Sequence, residues 1–528
     1  MTRLLPALRL VIAPTLLLAA CATLAAAPAS GDDPVQALQA AYARAVAPGG
    51  EAETYRGLIA SVFARVQRSY ATEVDLSSLS AEAIKVLEPL QPGAAEPRAV
   101  FAKAINAALG TLDPYSRYLE PRTAGSEGPG GSFGGVGLEL EPGEGAVRVI
   151  APIPGSPAAQ AGVRAGDLIV KIDDTPTKGM SLNDAVKLMR GKPKSPINLT
   201  LQRKGETRPV VLTVVRDIIR VQSVKSKLLE PGVGYVRVTQ FQEHTVENLV
   251  KHLDALGKQA PLKSLVLDLR NDPGGLLHGA VGVSAAFLPP RVVVTSTDGR
   301  TEDAKRKYIA APEDYLRGSR DDIIARLPAW TKTAKMVVLT NAGSASASEI
   351  VAGALQDHKR AVVLGTQSFG KGSVQSILPL TNNTAIKLTT ARYYTPSGRS
   401  IQAKGIVPDY IVEETPDGDI SNFRVREVDL QRHLTNDRDK NAESKAAPAP
   451  GTPEADRLRD MKPVEFGSAE DYQLQQALNY LKGLPVVLAK GTQKTTITAA
   501  AGEPAVDAAA KPAPHAPART KPAPATAK

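Results

Sequence analysis

The sequence predicts a multidomain α/β protein, in which an α/β domain follows a small N-terminal helical region and a mainly β module. Three observations lead there. Buried-type apolar runs at 264–270 and 336–340 alternate with segments of helical periodicity such as 245–256, the order of βαβ units, which implies a parallel sheet with sites at strand C-termini. Short strand patterns at 133–140, 198–203 and 210–215 crowd the preceding region. Apolar residues at helical spacing (Leu58, Val62, Val66) recur in 51–67, 79–90 and 98–109.

In chain order, residues 1–30 read as a signal peptide. Arg3 and Arg9 precede an apolar segment, 10–27, that Pro14 interrupts and that is too short for a membrane span. An exported protein of the periplasm or cell envelope is expected. Leu18-Ala19-Ala20-Cys21 resembles a bacterial lipoprotein processing box, so a lipid anchor at Cys21 and ordinary cleavage near Ala25-Ala26-Ala27 stand as alternatives. Cys21 is the only cysteine, which excludes an intrachain disulfide. The net charge of +10 is concentrated at the ends: the leader and the stretch from Ala489 onward hold +6 of it. With no basic-aromatic stripe, the remainder argues against a nucleic-acid partner.

The helical region, 35–124, closes on Asp113-Pro114-Tyr115-Ser116-Arg117-Tyr118-Leu119, which reads as a domain junction. A glycine-rich linker opens the β module, 125–217, and leads into Phe133-Gly134-Gly135-Val136-Gly137-Leu138. Glycines there free backbone N–H groups to face an anion such as a terminal carboxylate, and a tight hairpin is the plainer alternative.

The α/β domain, 218–435, carries the chemistry. Its first buried strand ends in Asn271-Asp272-Pro273-Gly274-Gly275, a turn that needs positive φ. Its second runs through Asn341-Ala342-Gly343 into a helix start at Ser346, where unpaired N–H groups and the helix dipole would stabilise an oxyanion. Ser346-x-x-Glu349 is equally a capping box. A nucleophilic serine needs a base, and His358, twelve positions along the same helix, is roughly 18 Å away. Lys371, among Phe369, Val374 and Ile377, can serve if burial keeps it neutral. His278 is the alternative base. Residues 365–371 also match a phosphate loop, but Gly372 stands where that loop needs Ser or Thr, and strand patterns follow instead of a helix. Residues 436–485 form a linker and an amphipathic helix with Leu474, Leu478 and Leu481, and the Ala/Pro/Lys-rich tail, 486–528, reads as disordered.

At Ser344-Ala345-Ser346-Ala347-Ser348-Glu349 and Phe369-Gly370-Lys371-Gly372 the chain resembles the carboxyl-terminal processing (tail-specific) proteases, serine peptidases with a Ser-Lys dyad. The resemblance implies Ser346 as nucleophile, Lys371 as base, Gln375 orienting the lysine, and an oxyanion hole from Gly274 or Gly275 with Ala347. Residues 156–172 resemble a PDZ signature, which implies capture of a peptide C-terminus by the amides of Val136, Gly137 and Leu138. The helix 181–189 would line that groove with Leu182, Val186 and Met189, which fit a core face as well. Segments 389–402 and 405–409 also resemble the family and are expected to complete the sheet. The implied function is an exported serine endopeptidase that needs no cofactor or metal and takes proteins through their C-termini. Terminal helices of this kind serve assembly in the family, so a homo-oligomer or an adaptor is a further expectation. The alternative is a non-enzymatic PDZ scaffold of the cell envelope.

Overall fold

The computed structural model describes residues 33–488 apart from internal stretches, the longest of which are 121–131, 417–424 and 440–464. The expected leader, Cys21 and nearly all of the tail lie outside the described residues.

The N-terminal region contains helices Pro34–Ala45, Gly50–Ser69, Leu76–Lys85 and Pro97–Leu109. The first was not foreseen, although Asp33 caps it by accepting the Val35 N–H and proline fills its first turn. These helices bury Tyr42, Phe63, Phe101 and Ile105, and their core extends to Ile386 and Leu388. The region therefore shares a core with the α/β domain. Residues Arg117–Leu119, in the presumed junction, form a strand antiparallel to Ala385–Tyr394, with Arg117 opposite Lys387.

The β module is an antiparallel sheet in the order Leu138–Gly143, Ala146–Pro152, Leu168–Ile172, Pro196–Gln202, Val210–Val215, with the helix Leu182–Met189 packed on it. The expected strand at 133–140 is broken at Gly137, whose φ is +79°. Its first half, Ser132–Gly135, pairs instead with Asp217–Arg220, so the chains entering and leaving the module form a two-stranded ribbon.

The α/β domain holds two sheets. The central one runs Val224–Glu230, Val233–Val238, Ser264–Asp268, Lys335–Thr340, Val362–Gly365, Tyr410–Ile411, parallel from the second strand onward. Every residue of Ser264–Asp268 is buried, as a strand covered on both faces requires. The second sheet unites Arg117–Leu119, Ala385–Tyr394, Val293–Gly299 and Arg306–Ile309, with Ser373–Pro379 also on Ala385–Tyr394. Residues 389–394 thus belong to this second sheet, and only Tyr410–Ile411 completes the central one.

The C-terminal helix Tyr472–Leu481 lays Leu474, Ala477 and Leu481 against Val266, Val337 and Leu364 of the central sheet. Burying each leucine is worth about 1.5–3 kcal/mol. Of the three leucines expected on this helix, Leu474 and Leu481 are thus used within the chain, and Leu478 is half-buried outside that cluster.

Candidate active site

The strand Lys335–Thr340 leads through a turn to Ser346, which immediately precedes the helix Ala347–Asp357. Ser346 has φ 55° and ψ −109°. A non-glycine residue in such a conformation costs about 1–3 kcal/mol and persists only where its surroundings impose it. They do so here through the turn at 271–275. Asn341 accepts the Asn271 N–H (2.9 Å) and donates to the Asn271 side chain (2.9 Å). The Asp272 carbonyl accepts both the Ala345 N–H (2.9 Å) and the Ser348 hydroxyl (2.9 Å). Ser346 itself is half-buried, between the buried Ala345 and Ala347.

The Glu349 arm of the capping box is made, and it reaches further than a cap. Glu349 is fully buried. Its Oε2 accepts the N–H of Ser346 (2.7 Å) and of Lys371 (3.0 Å), while Oε1 accepts the Ser368 hydroxyl (2.6 Å) and the Gly370 N–H (2.7 Å). Burial pushes this carboxyl up to about 7, against the pull of those four donors. The two backbone segments that carry the expected nucleophile and base are thus fixed to one side chain.

Lys371 is half-buried, and burial, reinforced by Lys387, lowers its amine below the ordinary lysine range against the opposing charges of Glu427, Glu349 and Asp113. Its Nζ lies 4.0 Å from the centre of the Tyr115 ring. Among the described residues no hydrogen bond joins Lys371 Nζ to Ser346 Oγ, so the amine rests on the ring. Gln375, expected to orient the lysine, donates instead to Ser373 Oγ (2.9 Å) and Thr389 Oγ1 (3.4 Å). The neighbour the sequence did not reveal is Tyr115. Downstream of Lys371 comes the strand Ser373–Pro379, not a helix, which removes the phosphate-loop alternative.

The turn 272–275 is pressed onto the serine. A Cβ built on Gly274 (φ +91°) would lie 2.6 Å from the Ala345 carbonyl oxygen and 2.9 Å from Ser346 Cβ. Gly274's own N–H donates to Asp272 Oδ1 (2.8 Å), which removes it from the expected oxyanion donors. Among the described residues the N–H groups of Gly275 and Ala347 have no partner within the protein. His278 faces Glu243 at 3.6 Å, burial lowers its imidazole, and it makes no hydrogen bond to Ser346.

In the β module, Ala158 N–H donates to the Val136 carbonyl (2.9 Å), and Ser156 Oγ donates to that of Gly137 (2.9 Å). This brace presents the 136–138 segment beside the helix Leu182–Met189. Of the expected groove residues, Met189 is core at 3% exposure, Leu138 and Leu182 are half-buried against that core, and Val186 is half-buried outside it.

Comparison with known proteins gives matches at both places. Residues 232–412 match the model of peptidase family S41, and residues 148–203 match a PDZ domain model. The chain is 39% identical over 450 residues to the carboxy-terminal-processing protease of Bartonella bacilliformis, covering 84% of this chain and 92% of the relative. It is 36% identical over 307 residues to the carboxy-terminal processing protease CtpA of Bacillus subtilis, covering 58% and 62% respectively. Among solved structures, the photosystem II D1 C-terminal processing protease aligns over 70% of this chain and 95% of its own, at 31% identity and a TM-score of 0.43.

Proposed function

Because the chain belongs to the S41 peptidases, in the carboxy-terminal-processing group with a PDZ domain, we propose that it cleaves proteins captured by their C-termini, with Ser346 as nucleophile and Lys371 as general base. The observation that carries this reading is the shared carboxylate. Glu349 holds the Ser346 and Lys371 backbones together at a helix N-terminus, beside a glycine turn with a free amide.

In the proposed reaction Lys371 Nζ swings from the Tyr115 ring by side-chain rotation and takes the proton of Ser346 Oγ. The alkoxide attacks the scissile carbonyl, and the amides of Ala347 and Gly275 receive the oxyanion. The lysine returns the proton to the leaving amine, and water hydrolyses the acyl-enzyme. Peptide capture falls to the 136–138 amides and the groove beside Leu182 and Val186.

The test uses purified protein and an unstructured substrate with an apolar tail. Ser346→Ala and Lys371→Ala should each abolish cleavage while binding of the tail peptide persists. Full activity in Lys371→Ala would move the base to His278. Wild-type protein that binds tails without cutting them would favour the scaffold alternative.

Export and, at Cys21, lipidation are proposed from the sequence. The mass of the mature N-terminus tests both.

A further inference from the structure

We propose that Tyr115, anchored by Glu427, is a positioning residue for the Lys371 amine, seating it on the ring at rest while keeping the Glu427 carboxylate from pairing with it. The proposal rests on the assignment of Lys371 as base.

Tyr115 is rigidly presented. Asp113, itself buried, accepts the N–H groups of Tyr115 (2.8 Å) and Ser116 (2.9 Å) and the Ser116 hydroxyl (2.7 Å). Ser116 Oγ in turn accepts the Thr389 N–H (3.1 Å) from the second sheet. The chain then pairs as a strand with Ala385–Tyr394. The turn is thereby tied to the sheet on which the lysine-bearing hairpin is built.

The phenol hydroxyl donates to Glu427 Oε2. Glu427 is 1% exposed, and its Oε1 accepts the Gln402 side-chain amide (2.9 Å). Gln402 Oε1 accepts the Gly372 N–H (3.1 Å), and the Glu427 N–H donates to the Phe369 carbonyl (3.0 Å). Starting at Lys371, the contacts run through Tyr115, Glu427 and Gln402 and return to the residues that flank Lys371. A tyrosine that only packed the helical region onto the sheet would not close this circuit.

The chemistry fits a base that must become neutral. An aromatic face 4.0 Å from Nζ attracts an ammonium by only about 0.5–2 kcal/mol, so it seats the amine while favouring the charged form less than a paired carboxylate would. The charged groups around the amine are Asp113, Glu349, Lys387 and Glu427, with His433 behind Glu427. Lys387 disfavours the ammonium. Glu349 already accepts four donors and Asp113 three. Glu427 Oε2 has the Tyr115 hydroxyl as its hydrogen-bond partner, so that hydroxyl decides whether this oxygen can turn to Lys371.

Tyr115→Phe keeps the ring and frees Glu427. The midpoint of the acid limb of the kcat/KM profile is expected to rise by about one pH unit, equivalent to about tenfold lower kcat/KM on that limb, with KM little changed. Adding Glu427→Gln should return the midpoint toward the wild-type value. A lower melting temperature with an unmoved midpoint would overturn the proposal and leave Tyr115 structural. Should Tyr115→Phe fail to fold, Glu427→Gln alone is expected to lower the midpoint, and no movement there would equally overturn it. Lys371→Ala, assayed alongside, separates the two levels: cleavage by that variant refutes the base assignment, whereas an inactive Lys371→Ala with an unshifted Tyr115→Phe refutes this inference alone.

Discussion

The amides of Ser346 and Lys371 meet at one atom, Oε2 of Glu349, which accepts the first at 2.7 Å and the second at 3.0 Å. Residues twenty-five positions apart are therefore held no farther apart than two hydrogen bonds allow. Glu349→Gln preserves the volume but turns one acceptor oxygen into an NH2 group that faces donors. A buried polar group left unsatisfied costs about 1–3 kcal/mol, so the melting temperature should fall. Catalysis should suffer more: kcat is expected to drop at least about tenfold with KM little changed, since the misplacement acts on the reacting groups. A variant that melts lower but keeps wild-type kcat would reduce Glu349 to a helix cap.

Acid should switch the enzyme off. Burial, with Lys387, lowers the Lys371 pKa in the folded state. In the proposed mechanism the neutral amine accepts the serine proton and is populated above that depressed pKa, so kcat/KM is expected to fall as pH drops through it. Stability has its own sign. Between the folded and unfolded pKa values the unfolded chain binds the proton and the folded chain does not, so stability rises with pH across that window. A pH–rate profile with no acid limb anywhere below the ordinary lysine range would remove Lys371 from the mechanism.

Asp272 offers a test of the turn proposed to supply an oxyanion donor. Its Oδ1 takes the Gly274 N–H, its Oδ2 has no hydrogen-bond partner, and burial pushes its carboxyl up to about 8. A group neutral near pH 7 is well imitated by an amide, so Asp272→Asn should stay within about tenfold of wild-type kcat. Asp272→Ala releases the Gly274 amide and loosens the turn that carries Gly275, and a loss of about 10²–10³ in kcat is expected, the usual cost of one oxyanion donor. Equal activity in the two variants would show that the turn keeps its shape without the side chain.

Which parts were legible in the sequence follows from how local their signals are. Ser346 and Lys371 lie in short glycine- and alanine-marked segments between apolar strands, and the βαβ order placed both at the C-terminal edge of a parallel sheet. The helix Pro34–Ala45 went unread despite a readable aspartate cap at Asp33 and a proline in its first turn. Tyr115 could not be found that way. Its partners are 256 and 312 positions downstream, and only the pairing of Arg117–Leu119 with Ala385–Tyr394 brings them together. Gly274 and Gly275 were interchangeable as sequence, and the Asp272 hydrogen bond separates them.

Tail capture should be separable from catalysis at Gly137. That residue has φ +79°, and a Cβ there would lie 2.4 Å from Ser156 Cβ. Gly137→Ala must shift the 136–138 segment away from Ser156, which braces it. Peptide-tail affinity is expected to fall at least about tenfold, a difference of about 1.4 kcal/mol, measured by titration with a fluorescent peptide. Cleavage of a short peptide that does not depend on tail capture should persist. Undiminished tail binding would place the peptide site elsewhere.

The C-terminal helix is joined to the 271–275 turn through a buried arginine. Arg270, 1% exposed at the end of the strand that leads into 271–275, donates to Asp268 (2.6 Å to Oδ2), to Asp471 (2.8 Å to Oδ1 and 2.6 Å to Oδ2) and to Gln473 (3.0 Å). Its guanidinium lies 4.2 Å from the centre of the Phe466 ring. Asp471 also caps the helix Tyr472–Leu481 by accepting the Leu474 N–H (3.1 Å). Arg270→Met would leave Asp471 buried without its cation, and breaking such a pair by removing one partner costs about 3–5 kcal/mol. Truncation after residue 464 removes Phe466, Asp471 and Gln473 together and exposes Val266, Val337 and Leu364 beneath the helix. Both changes should lower the melting temperature, and both should lower activity because Arg270 adjoins the turn that carries Gly275. A truncated chain with wild-type melting and kcat would show that the helix is dispensable to the site it underpins.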